Sequence, residues 1–265
     1  MDSFDDLVGI MARLRAEGGC PWDREQDHQS LTPYLLEEAY EVVEALDHGS
    51  DEKLCDELGD LLLQIVFHAQ IATEEERFTI RDVAARICEK LRRRHPHVFA
   101  EVQVRDSDEV VHNWEAIKRA EPPNADRVSA VDGVPAALPA LLRATKVQKR
   151  AAKVGFDWDD AHGPAEKVRE ELGEVEQAAG EGDQARVVEE IGDLLFAVVN
   201  LARLLEVDSE GALRLTVLRF AERFRAMEQM AEAQGAELKG MTLAEMDELW
   251  ERAKGIPGSE PRVPS

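Results

Sequence analysis

Apolar residues recur along most of the chain at intervals of three and four residues. Between residues 4 and 17, this spacing puts Phe4, Leu7, Val8, Met11 and Leu14 on one face of a helix, because residues at these intervals lie on the same side. The same periodicity predicts helices at 30–47, 51–76, 79–94, 107–120, 163–180, 183–206, 208–234 and 242–254. β-branched runs are short and only two Tyr occur, so the pattern predicts an all-α protein.

Glycine and proline mark the ends of several predicted helices. Gly18-Gly19 should end the first helix, and Pro96 should end the helix at 79–94, because a proline ring clashes with the preceding turn of a helix. We expect Cys20-Pro21-Trp22-Asp23 to form a loop, since Pro21 restricts the backbone of the residue before it.

Helix-breaking residues are concentrated in the middle of the chain. The segment from about 121 to 139 contains Pro122, Pro123, Gly133, Pro135 and Pro139. This composition predicts a Pro-rich linker at 122–139. It would join an N-terminal domain at 1–121 to a C-terminal domain at 140–256. We expect a disordered tail at 257–265.

Both predicted domains contain two pairs of acidic residues, and the members of each pair lie three residues apart. Residues at i and i+3 are neighbours on a helix face, and the polar breaks DHGSD and GEGD would let the next helix turn back. Four carboxylates should therefore converge between two helices of each domain. They are Glu38, Glu41, Glu57 and Asp60 in the first domain and Glu171, Glu174, Glu190 and Asp193 in the second.

The repetition extends beyond the acids. Each half continues with a basic pair one helical turn apart, and then with a Trp followed one turn later by a Lys. This shared order predicts a tandem duplication of a helical-bundle domain of roughly 120 residues, much longer than a solenoid repeat. The matched residues are Lys90 with Arg219, Arg94 with Arg223, Trp114 with Trp250, and Lys118 with Lys254.

Converging carboxylates repel one another unless a cation neutralises them. Hard oxygen ligands suit Mg²⁺, which keeps several waters and engages substrate phosphates. Basic side chains can neutralise the charge on phosphate oxygens, and Trp offers a stacking face for a base. Each half therefore contains the ingredients of a metal–triphosphate site. Taken singly, each feature is more typical of a solvated helix face or a core residue.

Charge and cysteine content narrow the class of protein. The 265 residues include 55 acidic and 32 basic side chains, a formal net charge of −23. This balance argues against a nucleic-acid partner, because phosphate backbones require a basic surface. Three cysteines without CxxC spacing indicate a reducing, cytoplasmic location. No apolar run approaches the length of a membrane span, and no membrane partner is expected.

Several motifs together resemble one known family, and they extend over about residues 4–254. They are LLEEAYEVVEAL, DELGDLLLQIVFHAQ, CPWDREQ, RRRHPHVFAEV, KVGFDW and EEIGDLLFAVVNLAR. In this order they resemble the MazG family of the all-α NTP pyrophosphatase superfamily. The resemblance implies hydrolysis of nucleoside triphosphates to monophosphates and diphosphate, with Mg²⁺ or Mn²⁺ and broad base specificity. It also implies a homodimer that clears abnormal nucleotides or modulates nucleotide stress signals.

The resemblance also implies roles for individual residues. The Mg²⁺ ligands and catalytic carboxylates would be Glu171, Glu174, Glu190 and Asp193. Lys167 and Arg186 would contact phosphate, and the nucleotide site would be completed by Arg219, Arg223, Trp250 and Lys254.

The two halves differ in one of these positions. Tyr34 stands four residues before Glu38, where the second half has Lys167 before Glu171. The first half therefore lacks one phosphate-neutralising charge. The resemblance likewise implies that the C-terminal domain carries the main hydrolytic activity. A second metal site could be formed in the N-terminal domain by Glu38, Glu41, Glu57 and Asp60.

Two alternatives remain open at the level of sequence. A helical adaptor or regulator could bind nucleotides without turnover. A carboxylate-bridged di-iron bundle would require Glu-x-x-His motifs. Glu25–His28 and Glu109–His112 have this spacing, although neither is repeated in the second half.

Overall fold

The computed structural model describes residues 3–100, 102–121 and 128–255. The described chain divides into two compact units. The first ends at Glu121, and the second follows it. The ordered elements in these ranges are helices, without strands, which confirms the all-α prediction. The tail predicted at 257–265 lies outside the described residues, as do residues 122–127 of the predicted linker.

The first unit contains seven helices within the described residues. Five agree with the helices predicted from periodicity to within about two residues, which is the usual uncertainty of a helix boundary. The helices are α1 (Ser3–Arg15), α2 (Pro21–Glu25), α3 (Thr32–His48), α4 (Asp51–Glu74), α5 (Ile80–Arg94), α6 (Pro96–Phe99) and α7 (Ser107–Ala120).

The predicted loop at Cys20-Pro21-Trp22-Asp23 is wrong, because Pro21 begins the short helix α2. Proline is well suited to the first position of a helix, where its fixed φ is helical and its missing N–H would have had no partner. The Arg15 guanidinium donates to the backbone carbonyls of Asp23 and Gln26, and so fastens α2 to the end of α1.

The core of the first unit lies between α1, α4 and the segment that precedes α3. Met11, Leu31, Val66, Phe67 and Ile71 form one buried apolar cluster there. Burial of each large apolar side chain contributes about 1.5–3 kcal/mol. At the edge of this cluster, Arg15 pairs with Glu74 at 2.8 Å. This packing fixes α4, which carries part of the first acidic group.

The second unit contains five α-helices and one 3₁₀ turn within the described residues. They are α8 (Ala140–Ala152), α9 (His162–Glu181), α10 (Gln184–Leu204), α11 (Ser209–Ala233), the turn at Leu238–Gly240 and α12 (Leu243–Lys254). Its buried apolar cluster, Met227, Ala231, Leu249 and Ala253, lies between α11 and α12.

A two-residue connection reverses the chain at the same place in both units. Gly49 after α3 and Gly182 after α9 adopt left-handed conformations, with φ of 66° and 72°, which glycine adopts without steric cost. The next residue caps the following helix: Ser50 accepts from the backbone N–H of Lys53, and Asp183 from that of Arg186. Each unit thereby gains a helical hairpin, α3–α4 or α9–α10.

The KVGFDW motif anchors the chain segment that leads into α9. The Arg203 guanidinium on α10 donates to the Asp157 carboxylate, at 3.0 Å for its Nη1, and this pairing lowers the pKa of Asp157. The ring of Trp158 lies so close to Gly163 that any side chain there would clash with it. The motif is therefore structural at these two positions.

None of the helices in the described residues combines the length and the apolar character that crossing a bilayer requires.

Candidate active site

Three glutamates of the second unit meet between α9 and α10. Glu171 and Glu174 lie one turn apart on α9, and Glu190 lies on α10. One carboxylate oxygen from each lies within 4.8 Å of the others. Glu171 is only 5% exposed. A buried carboxylate needs a cation or hydrogen-bond donors, so the surroundings of this group determine its chemistry.

Two basic side chains provide that compensation. The Lys167 Nζ lies 2.6 Å from Glu171 Oε1, and the Arg186 Nε lies 3.1 Å from Glu190 Oε1. Each cation also binds a second acid, Glu170 at 2.9 Å for Lys167 and Glu181 at 3.0 Å for Arg186. The hydrogen bonds to Glu171 and Glu190 raise the pKa values of Lys167 and Arg186.

The two cations do not remove the repulsion within the group. A hydrogen bond with Glu171 and the charge of Glu190 raise the pKa of Glu174. A carboxylate whose charged form is disfavoured by its neighbours would gain from a further cation. The donors are all carboxylate oxygens, and their convergence suits a hard divalent ion such as Mg²⁺.

The first unit brings together the equivalent three acids. Glu38 and Glu41 on α3 and Glu57 on α4 have carboxylate oxygens within 4.8 Å of one another. Burial, followed by the charges of Asp60 and Glu41, raises the pKa of Glu38. The buried Gln64 forms a side-chain hydrogen bond with Glu38, which opposes that rise.

Basic partners distinguish the two groups. None of the ion pairs found in the described part of the first unit involves Glu38, Glu41 or Glu57. Lys53 instead pairs with Glu44, at 3.7 Å. Tyr34, at the position equivalent to Lys167, packs edge-on against Trp22 with ring centroids 5.8 Å apart. A structural aromatic contact thus replaces a cation.

The structure places the fourth acid of each set differently from the other three. Asp60 and Asp193 are exposed, and neither belongs to the groups whose oxygens meet within 4.8 Å. Asp60 is nevertheless near enough to raise the pKa of Glu38. Each acidic site therefore consists of three converged glutamate carboxylates and one aspartate at its edge.

The remaining predicted site residues lie on α11 and α12. Arg219 Nη2 donates to Thr216 Oγ1 at 2.9 Å, whereas the buried Arg223 Nε has no partner. Trp250 packs against Phe220, with ring centroids 5.1 Å apart, and Lys254 pairs with Glu251. These contacts lie on α11 and α12. Lys167 and Arg186, by contrast, contact the converged acids of the α9–α10 hairpin.

Some residues that shape the site are missing from the sequence interpretation. Glu170 lies three residues after Lys167, so helical spacing alone could have identified it. Glu181 reaches Arg186 across the turn between two helices, and Gln64 reaches Glu38 from a different helix. No local pattern reveals these last two contacts, because they depend on how the helices of the hairpin pack.

A di-iron centre receives no support from the described residues. His28 lies against His68, with Nδ1 atoms 2.8 Å apart and parallel rings, and its Nε2 contacts Arg77. The two groups able to hold a metal among the described residues consist of glutamates. The side chain of His112 lies outside the described residues.

Two family models match the chain, one in each unit. The model of the MazG nucleotide pyrophosphohydrolase domain matches residues 26–99, which include the first acidic group. The model of phosphoribosyl-ATP pyrophosphohydrolase matches residues 143–215, which include the second. The fold and the converged acids therefore define tandem all-α pyrophosphohydrolase domains.

Curated relatives resemble the chain over nearly its whole length. The nucleoside triphosphate pyrophosphohydrolase of Escherichia coli K12 is 48% identical over 257 residues, 96% of this chain and 98% of the relative. The Thermotoga maritima protein named nucleoside triphosphate pyrophosphohydrolase/pyrophosphatase MazG is 47% identical over 253 residues, 95% and 96% of the two chains. The nucleoside triphosphate pyrophosphohydrolase of Mycobacterium tuberculosis is 38% identical over 226 residues, 84% of this chain and 58% of the relative. The chain belongs to the MazG family, and the predicted pyrophosphohydrolase class is confirmed.

Proposed function

We propose that this enzyme hydrolyses the α–β phosphoanhydride of nucleoside triphosphates and releases a monophosphate and diphosphate. The observation that carries this proposal is the second acidic group, with Lys167 and Arg186 held against Glu171 and Glu190. Acids that attract a divalent ion and cations that attract phosphate lie within one hairpin, as metal–triphosphate recognition requires. The full-length similarity to named nucleoside triphosphate pyrophosphohydrolases supports the same reaction.

In this proposal, Glu171, Glu174 and Glu190 hold Mg²⁺, with Asp193 at the edge of the site. A bound Mg²⁺ would polarise a phosphoryl oxygen and lower the pKa of an adjacent water. Lys167 and Arg186 would neutralise charge that develops on the phosphate oxygens. Both reach the site from one turn before an acid, so they can exchange a carboxylate partner for a phosphate one.

Broad base specificity follows from the kinds of side chain that remain for the base. Trp250 can stack on any nucleobase, since every base has an aromatic face. Arg219, Arg223 and Lys254 carry positive charge and would read phosphate rather than base identity. An enzyme with this tolerance would suit the clearance of abnormal nucleotides or the adjustment of nucleotide signals in the cytoplasm.

A panel of nucleoside triphosphates tests the reaction. We expect monophosphate and diphosphate from several bases, an absolute requirement for a divalent ion, and loss of activity with EDTA. Products resolved as nucleoside diphosphate and orthophosphate would exclude cleavage between the α and β phosphates. Tight binding of nucleotides without release of any product would favour the non-enzymatic regulator.

We further propose a homodimer, on the basis of apolar side chains left exposed on α10 and α11. Leu213, Val217, Phe220 and Phe224 follow one face of α11, with exposures of 51%, 59%, 56% and 38%. Ile191, Leu195 and Val198 form a similar stripe on α10. Adjacent apolar side chains on this scale are typical of an interaction surface, and a second copy of the chain would cover them.

Light scattering after size-exclusion chromatography tests the dimer. Val217→Glu should yield a monomer, because a buried unpaired charge is costly at an interface. Val154→Glu is the matched control, since Val154 is 67% exposed and lies outside both stripes. A monomeric wild-type protein, or an unchanged dimer of Val217→Glu, would contradict this surface assignment.

A further inference from the structure

A carboxylate is clamped between two arginines at the end of the first unit. Arg93 Nη2 and Nε lie 2.8 and 3.2 Å from Glu121 Oε1. Arg94 Nε lies 3.0 Å from the same oxygen, and its Nη2 donates to Oε2. Four N–H groups therefore converge on one buried anion. Converging guanidinium donors of this kind are also how proteins recognise phosphate.

The clamp is built on an aromatic platform. The Arg94 Cζ lies 5.0 Å from the centre of the Trp114 ring, and the Lys118 Nζ lies 4.6 Å from it. The Arg94 side chain is 15% exposed and that of Glu121 is 9% exposed. Stacking and burial hold the Arg94 guanidinium in one orientation, so less order must be gained when it binds an anion.

The anion belongs to the chain itself. Glu121 is the last residue of the first unit and follows the end of α7, so it reaches the arginines of α5 from a separate segment. The two arginines lower the pKa of Glu121 to about 2, which keeps it ionised at neutral pH. A permanently charged carboxylate thus fills the space between the two guanidinium groups.

The described residues of the second unit do not form this arrangement. Glu121 stands seven residues after Trp114, whereas the residue seven after Trp250 is Pro257. Arg223, which matches Arg94, has a buried Nε without a hydrogen-bond partner. The arginine that is satisfied by an internal carboxylate in one unit is therefore unsatisfied in the other.

We propose that Arg93 and Arg94 form a second anion site, specific for the diphosphate group, which Glu121 occupies as a built-in competitor. The carboxylate stands in for one phosphoryl group of the ligand, with Trp114 and Lys118 completing the wall of the site. While the Glu121 carboxylate occupies the site, another anion can bind there only by displacing it. This second site can be tested separately from the proposed hydrolysis, because binding at Arg93 and Arg94 can be measured without turnover.

Calorimetric titration of the full chain with inorganic pyrophosphate in EDTA tests the proposal. Glu121→Gln removes the competing charge and should add one binding site per chain, or tighten binding by about tenfold or more, because two arginines regain free charge-assisted donors. Glu109→Gln is the matched control. It removes an acid on α7 that pairs with Arg105, and its isotherm should match that of wild type. An unchanged isotherm for Glu121→Gln would mean that Glu121 only fastens α7 to α5.

A second substitution locates the gain. Arg94→Gln added to Glu121→Gln should abolish the new binding; persistence of the gain would place it elsewhere and overturn the proposal. ADP and pyrophosphate carry the same diphosphate group. Tighter binding of either ligand by Glu121→Gln than by wild type supports the assignment. An equal gain with sulfate and AMP would show only a non-selective pair of cations and would contradict it.

The test does not depend on one variant folding. If circular dichroism shows that Glu121→Gln loses its cooperative transition, Glu121→Asp keeps the charge and withdraws the carboxylate by one methylene. This variant should show a smaller gain in pyrophosphate affinity, which Arg94→Gln again removes. A folded Glu121→Asp that binds pyrophosphate as weakly as wild type would refute the competition.

Discussion

The two acidic groups have the same backbone framework but different compensation of charge. In the second unit, Lys167 and Arg186 lie on Glu171 and Glu190. In the first, the ion pairs of the described residues leave the three acids to one another, with Gln64 as a neutral donor to Glu38. The same spacing of glutamates therefore supports two different electrostatic states.

The basic groups differ in the opposite direction. In the first unit, Arg93 and Arg94 are satisfied by Glu121. In the second, the Nε of Arg223 has no partner. In the first unit, acids without cationic partners thus accompany arginines that are paired. In the second, partly neutralised acids accompany an arginine whose Nε has no partner. We infer that a metal–phosphate ligand binds the second half more readily, because the Nε of Arg223 has no carboxylate partner that phosphate would have to displace.

The largest expected difference between the halves is in turnover. Glu174→Ala should reduce diphosphate release by about a hundredfold or more, the scale of losing one element of transition-state stabilisation. Glu41→Ala, at the equivalent position, should retain most of the activity. The rates are compared at saturating Mg²⁺, with folding checked by circular dichroism. The reverse order would assign the chemistry to the first unit, and equal partial losses would mean two working sites.

Removing Lys167 should show how much its charge stabilises the acidic group of the second unit. Lys167→Gln leaves the buried Glu171 without its Nζ partner, so in EDTA the free energy of unfolding should fall by about 1 kcal/mol. This estimate is reduced from the value for a fully buried pair, because Lys167 is 40% exposed. Mg²⁺ should offset much of the loss by neutralising the same acids.

Lys53→Gln provides the matched control in the first unit. Lys53 pairs only weakly with Glu44, at 3.7 Å, and both side chains are exposed. Its removal should change the unfolding free energy by less than about 0.5 kcal/mol, with or without Mg²⁺. Denaturant titration of both variants measures the contrast. Equal losses would show that Lys167 does not compensate the acids of its site.

Neutralising an acid should have opposite effects in the two halves. Glu57→Gln relieves like-charge repulsion and should raise the unfolding free energy of the metal-free protein by about 0.5 kcal/mol. Glu190→Gln deprives Arg186 of one partner, at 3.1 Å, and should lower it by a similar amount. Thermal and denaturant unfolding in EDTA measure the change in unfolding free energy for each variant. Changes of the same sign in both variants would contradict the difference between the two units.

The smallest expected effect concerns pH and the first unit. Burial, followed by the charge of His28, lowers the pKa of His68. The neutral form is favoured in the folded state, so stability should be lost as the pH falls below about 6.5, where the unfolded chain takes up the proton. The groups facing this pair are Arg77, on His28, and Asp27, whose charge interacts with His28.

His68→Gln should therefore flatten the acid limb of a stability–pH profile, because glutamine can keep a hydrogen bond to His28 without titrating. His162→Gln, in the second unit and 74% exposed, serves as the control and should follow wild type. An acid limb that is identical in His68→Gln and wild type would show that the loss comes from other groups.

Local sequence determined nine of the twelve α-helices in the described residues and the faces of the acids; α2, α6 and α8 were not predicted. Apolar periodicity placed nine helices, and three-residue spacing put Glu171 and Glu174 on one side of α9. The polar breaks at Gly49 and Gly182 indicated the reversals. These features depend on neighbours within one turn, where backbone geometry fixes which side chains meet. The helix at Pro21 was missed because proline is compatible with both a loop and a first helical turn.

The tertiary structure decided the charge pairs that join residues distant in sequence, whereas Lys167 and Arg186 pair with acids one helical turn away. Glu121 lies 27 residues from Arg94, and their contact exists only because α7 packs against α5. The contact of Arg186 with Glu181 likewise depends on the geometry of one turn. Electrostatic pairing depends on distance and burial rather than on sequence separation, and these are fixed only when the helices pack. The chain thus specifies two equal sets of acids, and the exchange of Lys167 for Tyr34, together with the packing of the helices, makes their surroundings unequal.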